Sequence, residues 1–411
     1  MGARSVPPPA GALFLLQPFR RSSALNPTTR IHWLVPLVLA PPLVAAVALA
    51  ALRPADASWA LAGGLALLLA AGFAVALRIG SRHPEWVVAG CAFSLALWPE
   101  LALRAAGLRF DEAGVIFGIW APIAARDHPD FFWTLPPERA EVNSEGFPGP
   151  DFVIPKPPGV WRMLFFGDSC TQQGFPRDVE ARLSADLPRR RFEAVNLGVA
   201  GYSSLQGRLV ADAWLERLEP DLSVVYFGWN DRWRAFGMSD AERAARRNRP
   251  LLRAVLASRL LQMLVRLPMR ELPEPLDLPR VSEAEYRENL AAIGELATRA
   301  GGRVLLLTAP SSHARRGFPV ELVRAKLATS AESSLASWRA YNEVARELAR
   351  ERGWPLLDLA SLADEAPDPD AIFVADGIHF TPQGLAWIAG EISREIEPML
   401  APDGATAEGR R

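Results

Sequence analysis

The apolar positions of this chain fall into two regimes. In the first hundred residues they run together without a polar stripe. Residues 31–52, "IHWLVPLVLAPPLVAAVALAAL", and 58–77, "SWALAGGLALLLAAGFAVAL", are each long enough to cross a hydrocarbon core of about 30 Å as a helix. Residues 86–103, "WVVAGCAFSLALWPELAL", form a third run, interrupted near its end by Pro99 and Glu100. Buried helices of a soluble domain normally keep a polar stripe, so this pattern predicts N-terminal transmembrane helices within a membrane region of residues 1–110.

Beyond that region the pattern breaks into short apolar runs separated by amphipathic segments. Strands are expected at 162–167, 192–198, 222–228, 303–309 and 355–359, with helices at 176–187, 203–218, 283–300, 331–351 and 382–397. Strands alternating with helices of this length imply βαβ units, hence a mostly parallel sheet covered on both faces. The expected α/β domain is a three-layer α/β/α sandwich over residues 160–400, followed by a disordered tail at 401–411. Between membrane region and sandwich lies a Pro-rich, aromatic lead-in, 111–159, in which packing is the expectation for Trp133 over a glycan-binding role. Within it, 113–125 is apolar but too short to span, so an interfacial or domain-packing segment is expected there. The interval 232–282 interrupts the alternation with "LLRAVLASRLLQMLVRL", a basic amphipathic helix candidate. A cap over the site, a membrane-surface helix and an ordinary solvated insertion all stay open for it.

Charge adds an orientation. Arg4, Arg20, Arg21 and Arg30 precede the first run, and Arg78 and Arg82 lie in the second loop. The positive-inside tendency keeps both in the cytoplasm, so a third crossing delivers the rest of the chain outside. The expectation is a multi-pass cell-membrane protein with its α/β domain on the periplasmic or extracellular side, and it turns on the third run crossing. The net charge of −1, without a basic stripe, excludes nucleic acid as a general partner. Cys91 and Cys170 offer no metal-site spacing, and no cofactor or disulfide is expected.

Candidate chemistry gathers at the strand ends, the edge where open parallel sheets place their ligands. The first strand runs through "LFFGDSCTQQG" and delivers Ser169. The second enters "NLGVAGYSS", where Gly201 lets the backbone come close to a substrate and offers an N–H. The third enters "GWND", where Asn230 supplies an amide. Of the five histidines, His32 and His83 belong to the membrane part and His128 to the lead-in, while His313 sits in a loop that can line the site. His379 has Asp376 three residues earlier, in "DGIHF", a spacing that lets the acid curl back onto one imidazole nitrogen while the other faces the serine. Ser169, His379 and Asp376, with an oxyanion hole from the N–H groups of Ser169 and Gly201 and the Asn230 amide, supply a nucleophile, a base, its orienter and donors. Cys170 is expected in the core, and Asp168 as a turn-former bonded to local backbone.

These blocks, "GDSCT", "NLGVAG", "GWND" and "DGIH", resemble the SGNH, or GDSL-type, esterase superfamily over about 160–398, and "RVSEAEYRENL" looks like its membrane-anchored bacterial members. The resemblance implies a flavodoxin-like fold, a metal-free Ser-His-Asp mechanism and carboxylic-ester substrates. The longer "CTQQG" turn departs from the pattern and bears on the acyl pocket. Esterase action on an acylated envelope or exported carbohydrate or lipid is the leading expectation. An O-acyltransferase using the same acyl-serine, with a membrane acyl-donor partner, and a catalytically idle binding module are the alternatives.

Overall fold

The computed structural model describes residues 96–108, 125–247, 249–266 and 274–400. The chain divides into two units, Met1–Gly107 and Leu108–Arg411. In the first, residues 96–105 are helical. The runs expected to span at 31–52 and 58–77, and the first part of 86–103, lie outside the described residues, as do 113–124 and the tail 401–411. Among the described residues, no helix is long and apolar enough to cross a membrane.

The second unit opens with a hairpin, β1 (Arg126–His128) and β2 (Phe132–Thr134), and then β3 (Val160–Gly167) starts the main sheet. There follow α1 (Ser169–Gln172), α2 (Phe175–Asp186), β4 (Arg191–Asn196), α3 (Ser204–Leu218) and β5 (Leu222–Tyr226). An insertion carries β6 (Arg234–Phe236), α4 (Asp240–Arg247), α5 (Pro250–Ala257), α6 (Arg259–Arg266) and β7 (Pro275–Pro279). The alternation resumes with α7 (Glu283–Arg299), β8 (Arg303–Leu307), α8 (His313–Arg316), α9 (Val320–Arg324), α10 (Ala331–Arg352) and β9 (Leu356–Leu357). It ends with α11 (Leu359–Glu365), α12 (Pro369–Ile372) and α13 (Pro382–Ile396).

The sheet is parallel throughout, in the order β4-β3-β5-β8-β9. Numbered by appearance in this sheet, that is 2-1-3-4-5, the flavodoxin-like doubly wound order. Period-two burial explains why both faces are covered. In β3, Leu164 and Phe166 face a core shared with α3, α7 and α10, while Met163 and Phe165 face one shared with α2 and α13. The helices begin at side-chain caps: Ser282 with Glu285 for α7, Ser330 with Ser333 for α10, and Thr381 ahead of Pro382 for α13.

Three departures from the sequence expectation have local causes. The other four strands of the main sheet, β4, β5, β8 and β9, each stop two residues before the end of their apolar run. At β4, the Asn196 side chain accepts the N–H of Gly198 and turns the chain off the sheet into the loop that carries Gly201. The insertion helix divides in two, because Ser258 takes an extended conformation and its hydroxyl accepts the N–H of Leu261, capping α6. The described part of the lead-in packs into the core: Phe132, Trp133 and Phe147 are buried, and the Trp133 indole donates to the Ala200 carbonyl while its own carbonyl accepts from the Tyr202 hydroxyl. Trp133 is therefore a packing residue, closed to a glycan.

Arg162, wholly buried in β3, bonds Glu193 on β4, the Leu218 carbonyl and the Val153 carbonyl of the lead-in at 2.7–2.8 Å. One guanidinium thus ties three segments.

Gly207 on α3 packs directly on Phe227, where an added Cβ would meet the ring at 2.3 Å. Gly207→Ala gains about 1 kcal/mol of helix propensity. It overpacks the core at a cost of about 1–3 kcal/mol. A net loss of stability is expected, read as a lower urea midpoint at unchanged slope.

Candidate active site

The serine turn is shaped by crowding. A Cβ on Gly167 would lie 2.0 Å from the Thr171 hydroxyl and 3.0 Å from the Tyr226 carbonyl, so only glycine lets β3 end this close to α1 and β5. Asp168 then caps α1, its Oδ1 accepting the Cys170 N–H at 2.9 Å, and Ser169 stands at the helix's first position. Cys170 points inward: it is fully buried, its thiol lies 3.6 Å from the Ile378 carbonyl, and burial holds it protonated.

The structure brings Ser169, His379 and Asp376 together across 210 residues of sequence, with Ser169 Oγ 2.7 Å from His379 Nε2. His379 Nδ1 lies 2.6 Å from Asp376 Oδ2, and Asp376 Oδ1 accepts the N–H groups of Ile378 and His379 at 2.8 and 2.9 Å. Gly377, at φ 71°, permits this curl. Because an ionised carboxylate only accepts, the Nδ1 proton sits toward Asp376, leaving Nε2 to accept the serine hydroxyl.

These contacts set the ionisation states. Burial would raise the Asp376 carboxyl, but hydrogen bonds from the His379 ring, the His379 N–H and the Ile378 N–H outweigh it and hold the pKa down to about 2. Burial would lower His379, yet its bond to Asp376 and the charges of Asp376 and Asp168 raise it above the ordinary 6.5. Asp168 is buried and pushed up to about 6, despite the Cys170 N–H and the His379 charge.

The expected oxyanion donors present a mixed picture. Among the described residues, the N–H groups of Ser169 and Gly201 have no acceptor. The Asn230 amide, in contrast, donates to the Tyr202 carbonyl at 3.0 Å and to Asp168 Oδ2 at 3.2 Å. Asp168 is thus more than a turn-former, since it also holds the Asn230 side chain.

Sequence reasoning missed the clamps. Gln172 accepts the Ala200 N–H at 2.7 Å, and Gln173 exchanges two 3.0 Å hydrogen bonds with the backbone of Phe380. The long "CTQQG" turn therefore fastens the serine loop to the glycine loop on one side and to the histidine loop on the other. His313 acts similarly. Its Nε2 lies 2.6 Å from the Asp376 carbonyl, and its ring packs edge-on against Trp229 and Phe318. The "APSSHARRG" loop leaving the same sheet edge was the available signal.

Comparison with known proteins places the chain in a family. The model of the GDSL-like Lipase/Acylhydrolase family matches residues 165–387. The chain belongs to that family. It is an ester-hydrolysing enzyme. The GDSL esterase/lipase CPRD49 of Arabidopsis thaliana is 22% identical over 248 residues, 57% of this chain and 78% of the relative. Among solved structures, a lipase/acylhydrolase of Enterococcus faecalis is 22% identical, covering 60% of this chain and all of its own, with a TM-score of 0.38. A GDSL-like lipase of Bacteroides thetaiotaomicron is 18% identical, covering 58% and 89%, with a TM-score of 0.37.

The two site histidines of this GDSL-like acylhydrolase should titrate apart. Burial lowers His313 to about 4, while His379 is raised above 6.5. The unfolded imidazole of His313 takes a proton near 6.5 and the folded one only near 4, so the unfolded state binds more protons between those values. This histidine's contribution to stability is therefore present above pH 6.5 and is lost as pH falls toward 4. Imidazole chemical shifts followed by NMR against pH should show the two midpoints on opposite sides of 6.5; coincident titrations would contradict the packing around His313.

Proposed function

We propose that this enzyme is a serine esterase working through Ser169, His379 and Asp376 on carboxylic esters of an envelope or exported carbohydrate or lipid. The observation that carries the reading is the continuous hydrogen-bond chain from the Ser169 hydroxyl through His379 to the Asp376 carboxylate. Ser169 Oγ bonds to the acyl carbon as its proton passes to His379 Nε2. The oxyanion is met by the Ser169 and Gly201 N–H groups and the Asn230 amide. His379 returns the proton to the leaving alkoxide as the ester C–O bond breaks. Water then attacks the acyl-serine, giving its proton to His379, which restores it to Ser169 Oγ as the acid departs.

Hydrolysis is favoured over transfer to a sugar hydroxyl because the site is open, the side chains of His379 and Asp376 each being 35% exposed. A waiting acyl-enzyme needs water kept away. The reading includes anchoring of the bacterial type by the N-terminal apolar runs, with the α/β domain outside the cytoplasm. That placement rests on the arginines flanking the runs.

Ser169→Ala should abolish turnover of a short-chain aryl ester by the full-length protein without loss of fold; near-normal activity would remove the serine from the mechanism. Asn230→Ala should lower kcat by about 100-fold or more. A change confined to KM would leave Asn230 as a binding group. Because His379 must be neutral to accept the serine proton and its pKa is raised, kcat/KM should fall as pH drops through a value above 6.5. A profile flat to pH 5 would exclude His379 as the base. With a labelled acyl ester and a soluble oligosaccharide, most label should appear as free acid, dominant transfer at millimolar acceptor pointing to the acyltransferase instead.

A further inference from the structure

Within the insertion, α6 has its polarity inverted. Among its described side chains the buried one is polar: Gln262 is 4% exposed and donates to the Leu256 carbonyl at 2.8 Å. Its apolar residues lie outward. Leu264 is 50% exposed, and Leu260, Leu261, Met263 and Val265, all partly exposed, join neither core among the described residues. In α5, Leu252 and Leu256 pack on the core while Leu251 stays 76% exposed. Apolar residues scattered singly on a surface are ordinary, but a run of them on consecutive helices marks an interaction face.

The charge around this face has one sign. From Arg243 to Arg270 the sequence carries eight arginines and no acid, and Arg246 and Arg249, just ahead of α5, are exposed. Leucines flanked by cations suit a lipid interface, where the acyl boundary takes the apolar side chains and anionic headgroups take the arginines.

The position of the face selects a bilayer over a protein partner. Arg259, at the start of α6, donates to the carbonyl of Leu108, itself 51% exposed. Leu108 opens the second unit and follows the third apolar run, 86–103, in sequence. Arg247 and Arg253 reach Asp130, in the turn between β1 and β2, at 3.4 and 3.7 Å. The insertion is thus fastened where the chain arrives from its apolar runs.

We propose that α5 and α6 lie on a lipid bilayer, with Leu251 and Leu264 in the acyl boundary and Arg246 and Arg249 against anionic headgroups. The inference rests on the anchoring reading for its location and stands apart from the ester chemistry. The test puts the environment-sensitive fluorophore NBD on single cysteines of the full-length protein, in a Cys91→Ser background in which Cys170 is buried. The protein is reconstituted in phosphatidylcholine vesicles with and without phosphatidylglycerol. NBD on Leu264→Cys and on Leu251→Cys should emit as in lipid and be quenched by doxyl-labelled lipid, whereas NBD on Asp212→Cys, exposed on α3, should emit as in water. Fluorescence lifetimes separate docked from undocked protein. Phosphatidylglycerol should raise the ratio of docked to undocked about tenfold or more, and Arg246→Gln together with Arg249→Gln should remove that gain. Alkaline carbonate extraction reads anchoring separately: protein that washes off the vesicles counts against the apolar runs as anchors, and docking is then read by adding vesicles back to it. Water-like emission at 251 and 264 on phosphatidylglycerol vesicles overturns the proposal. So do equal quenching at 212, a gain that survives loss of both arginines, and a blue shift that doxyl lipid does not quench, the mark of a protein cover such as a second copy of the chain.

Discussion

The site depends on Asp376 being fixed from three directions. Its Oδ1 closes a turn onto two backbone N–H groups, its Oδ2 holds the His379 ring, and its carbonyl accepts from His313. The side-chain bonds keep it ionised, and an ionised Asp376 selects the imidazole tautomer that faces Ser169. The third bond has a different consequence. His313 is packed against Trp229, the residue before Asn230, so the loop carrying Asp376 and His379 and the loop carrying Asn230 lean on one aromatic wall. A Cβ on Gly377 would sit 2.5 Å from the His313 ring, which leaves no slack between them.

A second clamp holds the opposite side. Arg280, at the end of the insertion, bonds the Gly201 carbonyl at 2.8 Å, Asp240 at 2.8 Å and Gln206 at 3.2 Å, and Ser203 donates to the same Asp240. Asp240 is fully buried and also pairs with Arg243. A buried pair of this kind adds little net stability over an apolar contact, but removing one partner costs about 3–5 kcal/mol. Its consequence here is geometric. Arg280 and Asp240 thereby tie the two ends of the insertion to the glycine loop.

The sheet and the pairing of Asp376 with His379 were readable because their signals are local. Apolar runs of strand length, helices between them, and Asp376 three residues before His379 all sit within windows that periodicity and spacing can resolve. The clamps were not, because their partners lie far away in sequence: Gln173 reads as a turn residue until Phe380 is beside it, and Arg280 as a surface cation until Gly201 is. The split at Ser258 shows a further limit. Apolar periodicity carries across it, while one hydroxyl settles the boundary by capping α6. Trp133 shows the converse, since packing was the expectation there over a sugar platform and the bonds to Ala200 and Tyr202 supply the long-range partners that bear it out.

Asp168 adds a tension to the proposed mechanism. Its carboxylate, with a pKa of about 6, is largely ionised at the pH where a raised His379 is neutral. In that state it favours the imidazolium that forms when Ser169 gives up its proton, because it is one of the charges that raise His379. The same charge opposes the oxyanion and already engages the Asn230 amide that should meet it. The Tyr202 carbonyl also accepts from the Asn230 amide, and in the proposed mechanism it would keep the amide in place as the Asp168 contact is exchanged. The longer of the two bonds, 3.2 Å against 3.0 Å, is the one to Asp168. Oxyanion formation then amounts to an exchange of acceptors on a side chain that stays where it is. Such an exchange needs little reorganisation, which is what makes a preorganised donor effective.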